Sequence, residues 1–400
     1  MTKENSRSSM CWVREMNDRC HRSRRICIAA TVPFAVRAFL LGHIRCLSVE
    51  YDVTVITNLQ GDTFEDKVSE RIHFTHIPFS RNPDPVNDLI CLMRLMRFFK
   101  KEKFDVIHSI TPKAGLLVML AGWLTRIKVR LHTFTGQVWV TKSGIARFAL
   151  KTIDRFFAKL ATHVFVDSFS QRDFLLKEGV IRADRSEVLG AGSISGVDTL
   201  QFAPNPALRQ KTRDELGFSS PEIVFLFLGR LKRDKGLLTL AAAYRSVFNK
   251  RKEARLLIVG PDEEGLHHDL LSQLPGVPIV FVGHTTEPEK YMIAADVFCL
   301  PSLREGFGST IIEAACVGIP AIASRIYGIT DAVVDGTTGM LYDPCSAGEL
   351  AKCIETLSEN PKLREEMGVA ARERALKEFS QKRLTAALRD AYQRILRMKL

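Results

Sequence analysis

The residues best suited to chemistry in this 400-residue chain lie at 303–318, in the run LREGFGSTIIEAACVG. Two carboxylates, Glu305 and Glu313, stand eight positions apart around a glycine turn that opens a predicted helix. Gly306 and Gly308 permit a tight turn and let a ligand approach the backbone. Ser309 or Thr310 is placed to cap the helix that follows. The N–H groups at such a helix start bind phosphate oxygens without a metal. Gly306, Phe307, Gly308, Ser309 and Thr310 therefore form a candidate phosphate cradle. Of the two flanking acids, one is free to take the hydroxyls of a sugar ring and the other those of a ribose.

A second group of charges follows a predicted strand, in LGRLKRDKG at 228–236. Arg230 can fork onto a phosphate, and Lys235 adds a point charge. Together they can neutralise a departing diphosphate. Lys232 and Arg233 read as solvent-facing. His108 and His132 each end a predicted strand, so both are expected to rim a cleft. The chain contains no D-x-D, so no divalent-metal site of that kind is expected, and the Arg/Lys pair serves in its place.

Elements of one kind position all these residues. From residue 25 short apolar runs alternate with longer helical patterns, the signature of doubly wound parallel sheets in an α/β fold. Strands are expected at 25–30, 52–57, 71–77, 104–108, 128–132, 162–166 and 187–189, with helices at 36–49, 85–101 and 114–124. The alternation restarts with strands at 223–228, 255–259, 279–282, 297–300 and 321–324. Helices are expected at 237–248, 347–357, 361–370 and 381–397. The organisation that follows is a frayed N-terminal segment at 1–24, a first Rossmann-like domain at 25–190 and a Gly/Ser/Pro-rich linker at 191–220. A second Rossmann-like domain covers 221–378, and a last helix at 379–400 packs back on the first. A ligand belongs between the two sheets, at the carboxyl ends of their strands.

Composition narrows the partners. The formal net charge is +12, concentrated at 101–160, where eleven basic side chains stand against three acidic ones. Such a face suits nucleic acid, an anionic lipid surface or a diphosphate-bearing acceptor. The stretch IARFALKTIDRFFAKL at 145–160 reads equally as a packed helix with a solvated face or as a helix resting on an anionic leaflet. No nucleic-acid recognition motif accompanies the charge. The nine cysteines include no C-x-x-C pair, as expected of reduced thiols in a cytosolic protein. Residues 1–24 have no apolar core of the secretory kind.

The pattern E-G-F-G-x-x-x-x-E-A at 305–314, followed by Gly318-Ile319-Pro320, resembles the signature of retaining glycosyltransferases of family 4, which have the GT-B fold. The GR-x4-KG form of Arg230 and Lys235 resembles the diphosphate-binding pair of the same family. Within the family, HSITPKAGLL, HTFTGQVW, DSFSQRDFL and GSISGVD look like bacterial enzymes that extend undecaprenyl-diphosphate-linked sugars in O-antigen, capsule or related glycan pathways.

That resemblance implies a UDP-sugar donor, with a UDP-N-acetylhexosamine expected, and a lipid-diphosphate-linked sugar acceptor at the cytoplasmic face of the inner membrane. It implies a catalytic set of Glu305, His132, Arg230 and Lys235. The donor site comprises Arg230, Lys235, Gly306, Phe307, Gly308, Ser309, Thr310 and Glu313, with Glu313 on the ribose. His108 and Lys113 are expected to face the acceptor. No cofactor or metal is implied, and attack on the front face by the acceptor hydroxyl is favoured. The loop 31–37 (TVPFAVR) lacks the Gly-Gly of many relatives and is expected to meet lipid instead of phosphate. A UDP-sugar epimerase of the same fold, or a non-catalytic UDP-sugar-binding subunit, would share most of these features.

Overall fold

A computed structural model describes residues 23–61, 64, 70–80 and 84–399. The expectation of a frayed segment at 1–24 falls, apart from Ser23 and Arg24, outside the described residues. Seven strands build the first sheet: β1 Arg25–Ala29, β2 Asp52–Thr57, β3 Ile72–His76, β4 Val106–Ser109, β5 Val129–Phe134, β6 His163–Val166 and β7 Ser186–Val188. They lie in the order β3-β2-β1-β4-β5-β6-β7, all parallel. Helices cover both faces, which is why the central strands are apolar almost throughout. Ile26, Cys27, Ile28 and Ala29 of β1 are all buried.

Six more strands form the second sheet: β8 Ile223–Leu228, β9 Ala254–Val259, β10 Ile279–Val282, β11 Val297–Leu300, β12 Ala321–Ser324 and β13 Gly339–Tyr342. Their order is β10-β9-β8-β11-β12-β13, again all parallel. In each sheet the strand order reverses once, between β1 and β4 and between β8 and β11. Loops diverge at such a point and leave a crevice at the strands' carboxyl ends.

Three expectations need correction. The helix read at 36–49 is two short helices, Pro33–Phe39 and Leu41–Leu47, meeting at Leu40. The strand read at 128–132 continues to Phe134, so His132 does not end it. The linker read at 191–220 contains the helix Pro206–Glu215. Asn205 caps that helix by accepting from the Leu208 N–H at 3.0 Å, and Pro206 occupies the first turn. Both are start signals that the Gly/Ser-rich surroundings obscured. Arg209 and Arg213 then tie the helix to Asp296 at 2.5 and 3.1 Å.

The chain passes between the domains at two adjacent places. Val197 N donates to Phe379 O at 2.8 Å, and Gln381 N donates to Val197 O at 2.8 Å. Gly196 has a φ of +69°, and a Cβ there would lie 2.6 Å from Phe379 O, so only glycine fits this crossing. Beyond it, the helix Gln381–Lys399 lies on the first domain. Its Leu388, Ala391, Tyr392, Ile395 and Leu396 share a core with Ile26, Ile28, Val53 and Val55.

Candidate active site

The loop after β11 and the helix Ser309–Val317 carry the cradle. Gly308 is the N-cap, at φ +81° and ψ +56°, and no side chain bonds the exposed turn. Ser309 and Thr310 therefore do not cap the helix. A left-handed glycine at the N-cap makes the entry so abrupt that both residues already belong to the first turn. The start of the helix thus lacks a side-chain acceptor, which suits an anion. Phe307 points the other way. Its ring is buried against Phe379, with centroids 5.2 Å apart, so it anchors the loop and leaves only its backbone to the cleft.

Lys235 and Glu305 come together here. Lys235 Nζ donates to Glu305 Oε1 at 2.5 Å, and Ser302 Oγ donates to the same oxygen at 2.8 Å. The loops that carry them are pressed together: a Cβ on Gly236, whose φ is +71°, would lie 1.9 Å from Pro301 O. Arg230 lies on the exposed side and pairs with Glu263 at 3.2 Å. Lys232 is not simply solvent-facing, because it reaches the same Glu263 at 3.1 Å. Glu313 sits in the second turn of the helix, half-buried. Burial, with the Glu289 charge adding to it, pushes its carboxyl up to about 8.

Both histidines lie away from the rim. His132 is 1% exposed within β5. Its Nδ1 bonds Ser109 Oγ at 2.8 Å, and its ring packs edge-on against Phe134 and Phe157. His108 is 3% exposed. Its Nδ1 bonds Tyr392 Oη at 2.7 Å and its Nε2 bonds Thr133 Oγ1 at 2.8 Å. Burial holds both imidazoles down to about 3, so both rings are neutral near pH 7. Lys113 is held by Asp88 at 2.6 Å within the first domain. The reason is one of depth: β5 outruns its predicted end, and the C-terminal helix covers His108.

Other residues of the first domain face the cradle. The loop after β5 brings Gly136 against Glu305 and Gly306. Ser168 Oγ donates to Gly306 O at 3.0 Å, and Arg304 joins Gly136 O at 3.1 Å to Asp234 Oδ2 at 2.6 Å. Tyr327 of the second domain stacks on Phe174 of the first, with centroids 4.5 Å apart, and donates to Gln137 Oε1 at 3.3 Å. Gly136 and Gln137 lie in the segment TFTGQ and Ser168 in DSFSQ, neither of which carries a local mark of a contact with the second domain. The one available signal was their place just after predicted strands β5 and β6.

Two parallel-sheet domains facing each other across a cleft, with a helix start and a Lys/Glu pair on one side, define a GT-B glycosyltransferase. The chain belongs to glycosyltransferase family 4. The model for glycosyl transferases group 1 matches residues 209–374, and that for the glycosyl transferase 4-like domain matches residues 36–192. A D-inositol 3-phosphate glycosyltransferase of Corynebacterium kroppenstedtii is 31% identical over 74% of this chain and 69% of its own length. The capsular polysaccharide biosynthesis glycosyltransferase CapM of Staphylococcus aureus is 29% identical over 86% and 90%. An Escherichia coli UDP-Gal:alpha-D-GlcNAc-diphosphoundecaprenol alpha-1,3-galactosyltransferase is 27% identical over 74% and 76%.

Among solved structures, sucrose-phosphate synthase of Thermosynechococcus elongatus superposes with a TM-score of 0.80 at 21% identity, covering 94% of this chain and 100% of that one. Anabaena HepE in complex with UDP-glucose gives 0.77 at 19% identity, covering 92% and 99%. At these identities the structures speak for the fold alone.

Proposed function

We propose that this glycosyltransferase moves a sugar, an N-acetylhexosamine in our reading, from a UDP-sugar to an undecaprenyl-diphosphate-linked saccharide, in the assembly of O-antigen, capsule or a related glycan, with retention of configuration. The observation that carries this reading is the Lys235–Glu305 pair at 2.5 Å beside the uncapped start of the helix Ser309–Val317. A cation and a helix start on one side of a cleft suit a nucleoside diphosphate leaving group. A carboxylate between them and the opposite domain suits sugar hydroxyls. The kinship with CapM and with the diphosphoundecaprenol galactosyltransferase supports the acceptor class. The galactosyltransferase is named for a UDP-sugar donor, which supports the donor class.

In this mechanism the donor diphosphate lies against the N–H groups after Gly308, with Lys235 and Arg230 balancing its charge and Glu313 on the ribose. No metal or cofactor enters the scheme. Glu305 grips the sugar hydroxyls. The acceptor hydroxyl attacks from the face that the diphosphate leaves, and a UDP oxygen takes its proton. Arg304, Ser168 and Tyr327 hold the domains together around the reacting atoms and exclude water.

The acceptor's lipid calls for a membrane surface, and we place it on the first domain at the cytoplasmic face of the inner membrane. Among the described residues no helix is long and apolar enough to cross a bilayer. Three neighbouring helices, Pro85–Glu102, Pro112–Leu124 and Gly144–Leu160, expose Leu89, Met93, Trp123, Ile145 and Phe148 among basic side chains. Phe34 is also exposed, on the helix Pro33–Phe39 that takes up most of the stretch read as a loop at 31–37.

The deciding experiment supplies tritium-labelled UDP-N-acetylgalactosamine, UDP-N-acetylglucosamine or UDP-glucose with a lipid-diphosphate-sugar acceptor and counts label in the butanol phase. Label in the lipid identifies the donor and sustains the reading. Binding of UDP-sugars with no transfer to any lipid acceptor would overturn it in favour of an epimerase or a binding subunit.

A further inference from the structure

Gln171 is fully buried in the first turn of the helix Phe169–Lys177, which follows β6. The mechanism above gives it no part, yet both ends of its amide are engaged. Oε1 accepts from the Asp167 N–H at 3.0 Å, and this fixes which way the amide faces. Nε2 then has two hydrogens to give. One goes to Thr135 O at 2.7 Å and the other to Gln137 Oε1 at 3.2 Å. The backbone N–H of Gln171 donates to Ser168 Oγ at 3.2 Å.

Each of these partners leads across the cleft. Thr135 and Gln137 flank Gly136, whose backbone meets that of Glu305 and Gly306 and whose carbonyl accepts from Arg304 at 3.1 Å. Gln137 Oε1 also accepts from Tyr327 Oη at 3.3 Å. Ser168 Oγ accepts from Gln171 and passes its own hydrogen to Gly306 O at 3.0 Å. One buried residue thus ties together three first-domain groups that touch the second domain.

Only an amide satisfies this place. A carboxylate of the same shape keeps the bond from the Asp167 N–H but sets its other oxygen against Thr135 O and Gln137 Oε1, which are both acceptors. An apolar side chain leaves the Asp167 N–H without its acceptor.

We propose that Gln171 is a positioning residue for the transfer step, holding the loop 135–137 and Ser168 in the register at which the first domain closes on Gly306, next to Glu305. It acts through these groups and touches neither substrate. The inference rests on the transferase reading above and adds to it the group that sets the closing geometry. Lys235, Arg230 and the helix start all belong to the second domain, so UDP binding is independent of this register. Transfer needs both domains and depends on it.

The variants Gln171→Glu, Gln171→Met and Ser168→Ala test the idea, with transfer rates measured beside UDP affinity by calorimetry. Each Gln171 variant is expected to lower kcat about 100-fold while the Kd for UDP stays within about threefold of the wild type. Ser168→Ala removes the bond to Gly306 and leaves the Gln171 amide in place, and is expected to cost about tenfold in kcat with the same unchanged Kd. Residues that act through one chain of bonds do not add, so Gln171→Met combined with Ser168→Ala should stay within about threefold of Gln171→Met alone.

Wild-type kcat in both Gln171 variants overturns the proposal. So does a loss of UDP affinity that matches the loss of kcat, because Gln171 would then support the donor site and not the closing register. Losses that multiply in the double variant overturn it too. If the Gln171 variants do not fold, Ser168→Ala decides: a lowered kcat at unchanged UDP affinity sustains the role and a wild-type kcat overturns it. A wild type that transfers no sugar overturns the transferase reading and this role with it, whereas a wild type that transfers and is matched by every variant overturns the role of Gln171 alone.

Discussion

Gly136 of the first domain and Gly306 of the second face each other with no space for a side chain. A Cβ on Gly136 would lie 3.1 Å from Gly306 N, and one on Gly306 would lie 2.8 Å from Gly136 N. Two backbones in contact at this point close the cleft beside Glu305. Gly306→Ala must therefore shift one loop or open the domains. Its expected effect is a loss of about 100-fold in kcat with a melting temperature close to that of the wild type. Full activity in Gly306→Ala would mean that the domains do not close in this way during turnover.

Lys235→Ala removes the cation that meets Glu305 at 2.5 Å and leaves that carboxylate with Ser302. A lost group that stabilises transition-state charge costs about 10²–10³ in kcat. Glu305→Gln keeps the shape and loses the charge, and is expected to be the milder change of the two. Single-turnover transfer rates check both. If Lys235→Ala raised only the donor KM, the lysine would be a binding residue without a part in the chemical step.

The buried histidines set a pH dependence of stability. Burial holds His108 and His132 at about 3 in the folded chain, against an ordinary value of 6.5. Between those values the unfolded chain binds more protons, so stability falls as pH drops from 6.5 toward 3 and is unaffected by these groups above 6.5. Each histidine is expected to contribute about 1.4 kcal/mol per pH unit within that window. Urea unfolding at about pH 7, 6 and 5 measures the slope. It should become shallower by that amount in His132→Gln; an unchanged slope would show that the ring is charged or exposed in the folded protein.

Ile145 and Phe148 lie on the open face of the helix Gly144–Leu160, 88% and 69% exposed. Changing both to Ser removes apolar area that a membrane would bury, at about 1.5–3 kcal/mol for each side chain. Co-sedimentation with vesicles of anionic lipid should fall at least about tenfold, and soluble-donor binding should not change. Binding to neutral and anionic vesicles alike, unaffected by the double variant, would move the membrane contact elsewhere.

Much of this protein is decided by local pattern. Strands buried on both faces must be apolar throughout, so RICIA, IVFLFL and ARLLIV announce two parallel sheets without reference to anything distant. The glycine turn at Gly306 and Gly308 and the basic pair after β8 are likewise contiguous in the chain, because a phosphate site at a helix start is built from one loop. The meeting of Lys235 with Glu305 is different, since it depends on how two loops pack through Gly236.

Tertiary structure alone decided the depth of the first-domain residues. His132 and His108 look like rim residues as long as strand ends are guessed, and the extra length of β5 and the C-terminal helix put both in the core. Gly136, Ser168 and Arg304 have partners in the other domain, so their places depend on how the two domains meet. A contact between residues 138 or more apart leaves no periodic mark in either segment, as Ser168 and Gly306 illustrate. The sequence determined two Rossmann-like sheets and the glycine-rich and basic loops that follow β11 and β8. Which first-domain groups face those loops was decided by strand length, helix cover and the approach of two backbones through glycine.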